Sequence, residues 1–199
     1  MKVIHVKAFL LPVLVLIVTM ITTILLVPKD IAWIHYPLDA LGAQDYELAW
    51  IFNYGLMMTG VLMMMIATLY HHKMNVPQAI TYTMLMFSLS MILMGVWKNE
   101  NLFEYNPLHS DESLSHQRFY ILTHISYLLC IVVHVLLSKQ KTMRHIHLLM
   151  CFILVTFYII DFATDSYQGI IHSIQGLVML LWIPMFYGRF EYHVNVKRL

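Results

Sequence analysis

This sequence predicts an all-α fold, a polytopic membrane bundle of six transmembrane helices with both termini on the cytoplasmic side. Three observations lead there. The 199-residue chain is 60% hydrophobic and 12% charged, with a mean hydropathy of +0.70, which is more apolar surface than one water-soluble core can hide. Six apolar runs, over residues 8–27, 49–70, 79–97, 119–137, 146–163 and 169–188, each come close to the roughly 20 residues that an α-helix needs to cross a bilayer core about 30 Å thick. On that topology the charges separate. Ten of the eleven carboxylates lie in or beside alternate loops, with only Glu191 opposite, and nine of the twelve Lys and Arg share the Glu191 side. The basic side is cytoplasmic under the positive-inside rule, so the acidic side is external.

The first run follows a short basic start and resembles a secretion signal, but Pro28-Lys29-Asp30 offers no small-x-small cleavage site, so it is expected to be a retained span. Pro12 and Pro184 fall inside spans one and six, where neighbouring helices can absorb the freed carbonyls. The connections at His71-His72-Lys73 and over 139–144 are short and basic. Two external connections, 28–48 and 98–118, are about twenty residues each, long enough to cap the bundle. The third, 164–168, is a tight turn that makes spans five and six antiparallel neighbours. No repeat, low-complexity tract or linker divides the chain, so residues 1–199 read as one domain.

Several function classes drop out. No basic stripe suits nucleic acid. Cys130 and Cys151 lie in apolar runs without ligand spacing and read as small packing residues. The sixteen methionines suit adaptable packing better than thioether ligation of Cu(I). Trp33, Trp50, Trp97 and several tyrosines crowd the external boundary as an interfacial belt does.

Polar residues gathered at one membrane depth are costly and usually line a cavity. His116, Tyr120 and His124 recur at four-residue spacing and share one stripe if the fourth helix begins early enough. Asp161 and Asp165 close span five, and His172 stands near the start of span six, across the turn. Such a set fits zinc held by His116, His124 and His172 with an open position for water, or a metal-free general base, His172 oriented by Asp161 or Asp165. Asp39 and Asp45 belong to the covering loop, with Asn53 and Tyr120 at the cavity; Asn53, Gly55 and Gly60 also suggest close helix packing. A second histidine level, with His134, His147, His71 and His72, raises the alternative of a b-type haem protein. Against simple stacking of two haems, His124 and His134 are about 15 Å apart along a helix and nearly a quarter-turn out of line.

The segment Tyr36-Pro37-Leu38-Asp39-Ala40-Leu41-Gly42-Ala43, then Ile51-Phe52-Asn53-Tyr54-Gly55 and Thr59-Gly60, resembles the opening of the bacterial membrane family catalogued as domain of unknown function 998. Gly95-Val96-Trp97 and the stretch from His116 to His124 resemble its following loop and histidine helix. The chain departs from that pattern at Leu38, where Ser is expected, and at Lys98, where a Pro-x-Asp turn is expected. The resemblance implies six helices in a bacterial inner membrane and supplies no activity. A more distant likeness to eukaryotic autophagy-modulator and anchor-remodelling membrane proteins implies a lipid-related role. The paired histidine motifs of alkaline ceramidases are missing, so none of their residues is carried over.

The resulting expectation is an inner-membrane protein with an outward-facing His/Asp cavity, surrounded by membrane lipids, that binds or hydrolyses a lipid or other amphiphile. The alternatives are the haem redox protein and a non-enzymatic partner or stability factor for another membrane protein.

Overall fold

The computed structural model describes residues 3–28, 33–36, 38–44, 46–74, 76–99, 111–138, 140–163, 167 and 169–182. Six helices build it: α1 (Val3–Leu26), α2 (Ala49–Met74), α3 (Gln78–Val96), α4 (Asp111–Leu137), α5 (Lys141–Ala163) and α6 (Gly169–Trp182). No strand occurs among the described residues, whose only β contact is an isolated bridge between Ala43 and Asn99. Four of the helices, α2 to α5, are long and apolar enough to cross a membrane. The chain is a membrane protein.

Helix ends differ from the expected spans in an informative way. α4 begins at Asp111, eight residues before the apolar run, because Asp111 and Glu112 complement the positive end of its dipole and Glu112 ties two loops to that end. Its Oε1 accepts from the Lys98 backbone N–H at 3.1 Å and its Oε2 from Gln44 Nε2 at 3.5 Å. The second acidic-end connection is correspondingly shorter than expected. α1 runs unbroken through Pro12. Pro184 and the end of the sixth predicted span lie outside the described residues.

Consecutive helices pack in pairs, α1 on α2, α2 on α3, α3 on α4 and α4 on α5. Glycines set the closest approaches, because a side chain would not fit there. A Cβ on Gly55 would lie 2.1 Å from Thr19 Cγ2, one on Gly60 2.7 Å from the Ser88 carbonyl oxygen, and one on Gly95 2.6 Å from the Asn53 carbonyl oxygen. The packing role expected for the Asn53, Gly55 and Gly60 face is therefore observed. Hydroxyls buried in these contacts are satisfied within their own helix: Thr59 donates to the Gly55 carbonyl at 2.8 Å and Ser88 to that of Met84 at 2.7 Å. The opposite faces of α4 and α5 expose Leu129, Leu136, Phe152 and Ile159, as a lipid-facing surface does.

Tyr167 turns the chain between α5 and α6 with a left-handed backbone, φ 65°, and its carbonyl accepts from the N–H of Ile170 and Ile171, both at 3.1 Å. α6 then lies against α4 and α5. Tyr127 of α4 donates its hydroxyl to the Met179 carbonyl at 2.9 Å. Gly169 starts α6 so close to the first connection that a Cβ would sit 2.3 Å from the Trp33 carbonyl oxygen.

Candidate functional site

Two 3₁₀ turns, Trp33–His35 and Leu38–Gly42, fold the first connection back over the bundle. Asn53, buried in the first turns of α2, holds the second of them by donating Nδ2 to the Gly42 carbonyl at 3.1 Å. This places Asp39 above the mouth of α4. His116, fully buried, bridges three elements there: Nδ1 lies 2.7 Å from the Trp97 carbonyl and Nε2 3.3 Å from Asp39 Oδ2. Because a carbonyl only accepts, Nδ1 carries a proton. Asn99 Nδ2 donates to the same Asp39 oxygen at 3.1 Å. The other oxygen, Oδ1, is buried and has no hydrogen-bond partner in another residue among those described. Burial alone would raise the Asp39 carboxyl, but the His116 hydrogen bond and charge, with His172 further off, outweigh it and hold Asp39 below its usual value of 3.8.

The second pair forms across the α5–α6 turn, where His172 Nε2 meets Asp161 Oδ1 at 2.9 Å. Tyr120 stacks between the two levels, its ring centroid 5.9 Å from that of His172 and 4.3 Å from that of His124. His124 directs Nδ1 to the Tyr120 carbonyl at 2.8 Å and packs its ring edge-on to Tyr158.

Beneath this rim lies a cavity of about 90 Å³. Its walls come from α1 (Leu16, Met20), α2 (Phe52, Leu56), α3 (Phe87, Met91, Met94) and α6 (Met179, Leu180), and they are almost wholly apolar. Asp39, Tyr120, His124 and His172 close the rim, with Gln175 and Gly176 on the α6 side. The volume exceeds the roughly 10–15 Å³ that a single water requires.

The sequence-predicted residues divide accordingly. Asp39, Tyr120, His124 and His172 meet at the cavity, Asp161 stands behind His172, and Asn53 supports the loop from outside the cavity wall. Asp45 and Asp165 lie outside the described residues. The expected zinc set of His116, His124 and His172 is not assembled: no three His, Cys, Asp or Glu among the described residues lie where one ion could take them. The reason is local, since His116 spends both ring nitrogens on Trp97 and Asp39. The haem arrangement does not form either. His134 and His147 pack directly, ring centroids 5.6 Å apart, and both touch the indole of Trp182, whose Nε1 donates to His147 Nδ1 at 3.1 Å. That packing leaves no slot between the imidazoles for a macrocycle. Tyr120 fills the corresponding space beside His124 and His172.

The model of the family described as "Protein of unknown function (DUF998)" matches residues 10–188. The chain belongs to this family. The match runs through every element that builds the cavity, from α1 to α6. No curated protein and no solved structure matches this DUF998 chain.

Sequence reasoning missed Asn99, Glu112, Gln175 and Gly176. The last two carried a signal, since His172, Gln175, Gly176 and Met179 follow the i, i+3, i+4, i+7 spacing of one helix face. Asn99 carried none, because its role depends on a loop-to-loop pairing.

Proposed function

We propose that this DUF998 protein is an amphiphile-binding protein of the bacterial inner membrane, its cavity opening at the external face. One observation carries the reading: an almost wholly apolar cavity whose polar lining residues among those described are Asp39, Tyr120, Thr123, His124, His172 and Gln175. That combination suits an alkyl chain among Met91, Met94 and Met179 and a polar group beside Asp39 and His172. The distribution of Lys and Arg supports the orientation, with the rim at the acidic end.

The His172–Asp161 pair favours a second reading within the same site, acid–base hydrolysis of the bound amphiphile. A carboxylate on one imidazole nitrogen fixes the tautomer and the orientation of the ring, leaving the other nitrogen to take up a proton. The metal-free form of the expectation is the one the ligand geometry supports.

The test uses the full chain in phosphatidylcholine nanodiscs and a photoreactive alkyl probe bearing a neutral headgroup. Labelling of Met91, Met94 or Met179, displaced by unlabelled amphiphile, is expected. Labelling confined to the lipid-facing residues of α4 and α5 refutes the reading.

A further inference from the structure

The helices that wall the cavity also give its depth. α1 and α3 end at the rim and α2, α4 and α6 begin there, tied together by the Tyr46–Leu26, Asn53–Gly42, His116–Trp97 and His116–Asp39 contacts and by the approach of Gly169 to Trp33. The deepest lining residues of α1, α3 and α6 are Leu16, Phe87 and Leu180. At about 1.5 Å of rise per residue they stand about 13–17 Å below the rim ends of their helices. That is about half of a bilayer core about 30 Å thick. A chain that enters from the rim therefore stops near the midplane.

The stop is built from interlocked rings. Among the described residues none lines the cavity further in, and Val13, Met84, Tyr127 and Trp182, which follow on the same helices, are buried in packing. The Phe87 ring centroid lies 5.3 Å from that of Tyr127, and Tyr127 meets Trp182 edge-on at 5.5 Å. The Tyr127 hydroxyl is anchored on the Met179 carbonyl at 2.9 Å. Phe87 is backed on its inner side by a ring that α6 holds in place, and a close-packed interior resists its displacement. The side walls are softer. Met20, Met91, Met94 and Met179 supply unbranched side chains that adapt to the width of a ligand, so the rigid element is at the bottom.

We infer that Phe87 is the residue that sets the length of the alkyl chain the cavity accepts. Carbons up to the Phe87 ring gain contact, and carbons beyond it gain none. This rests on the amphiphile-binding reading and adds the property of the ligand that the site measures.

The experiment is competition against the photoreactive probe in phosphatidylcholine nanodiscs by straight-chain alcohols from butanol to dodecanol, referred to their free aqueous concentrations. Wild-type affinity is expected to rise roughly fourfold per methylene up to a break and to stay level past it. A phenyl ring buries about as much apolar surface as two to four methylenes, so Phe87→Ala should move the break about two to four carbons longer and leave the shorter alcohols as they were. Phe87→Leu should move it in the same direction by less, and decides the matter if Phe87→Ala does not fold. Phe152→Ala, on the exposed face of α5, should leave the break in place. A break that does not lengthen in the Phe87 variants, one that lengthens equally in Phe152→Ala, or a wild-type series without a break overturns the inference while the labelled cavity still stands. Absence of cavity labelling would instead remove the amphiphile-binding reading itself, and the inference with it.

Discussion

Gly176 offers the sharpest probe of the cavity, because it is the one described glycine in a helix around which a Cβ would meet nothing within 4 Å. It also lines the cavity. Gly in a helix interior costs about 1 kcal/mol relative to Ala. An unfilled apolar cavity costs about 24 cal/mol per Å³, which for 90 Å³ comes to about 2 kcal/mol. Gly176→Ala should therefore stabilise the protein by about 1 kcal/mol, and Gly176→Leu by up to about 3 kcal/mol if its side chain occupies the space. Gly95→Ala is the control. Its Cβ would sit 2.6 Å from the Asn53 carbonyl oxygen, a backbone atom that cannot move without shifting α2, so overpacking should cost about 1–3 kcal/mol. Denaturant unfolding in mixed micelles ranks the three variants, and the alkyl probe reports the site. Gly176→Leu should raise the unfolding midpoint and abolish cavity labelling, a gain in stability at the expense of function. A Gly176→Leu protein as destabilised as Gly95→Ala, or a stabilised one that still takes up the probe, refutes the assignment of this cavity as the binding site.

Three further outcomes are expected. Affinity for alkyl competitors should rise by about 0.8 kcal/mol, roughly fourfold, per methylene and then level off as the cavity fills; a constant increment with no plateau would mean simple partitioning into the bilayer. Because Asp39 titrates below its usual value of 3.8, its contribution to stability is complete above the unfolded carboxyl range and is lost as pH falls through the lower folded value. Thermal midpoints measured down to pH 2 should show an acid limb that flattens in Asp39→Asn, and an unchanged limb would contradict the clasp. Tyr127→Phe removes a fully buried donor from the Met179 carbonyl and should lower stability by about 1 kcal/mol without changing probe affinity, read by the same unfolding and labelling assays.

The helices were legible because a bilayer imposes one simple requirement, a long apolar run, and the sequence meets it repeatedly. Their ends were less so. The run from Asp111 to Arg118 is polar and reads as loop, yet it is helical because its first-turn acids favour a helix start and Glu112 holds Lys98 and Gln44. Spacing alone brought out His116, Tyr120 and His124, and the tight turn joined His172 to Asp161. Spacing could not reveal that His116 faces the Trp97 carbonyl and Asp39 rather than a common metal position, since that depends on how the first connection folds over α4. The apolar body of the cavity was invisible for a related reason: Leu16, Phe87 and Met179 look like any other membrane-span residues until three helices bring them together.

The clasp around Asp39 has a consequence for biosynthesis. Asp39 emerges from the ribosome 77 residues ahead of His116, the imidazole that compensates it. Until α4 is in place a nascent chain therefore holds that carboxylate without its counterion, with the first connection tied to α2 through the Asn53–Gly42 bond. Arrival of α4 then completes the clasp, adding the Asp39–His116 contact to the hold that α2 already has on the connection.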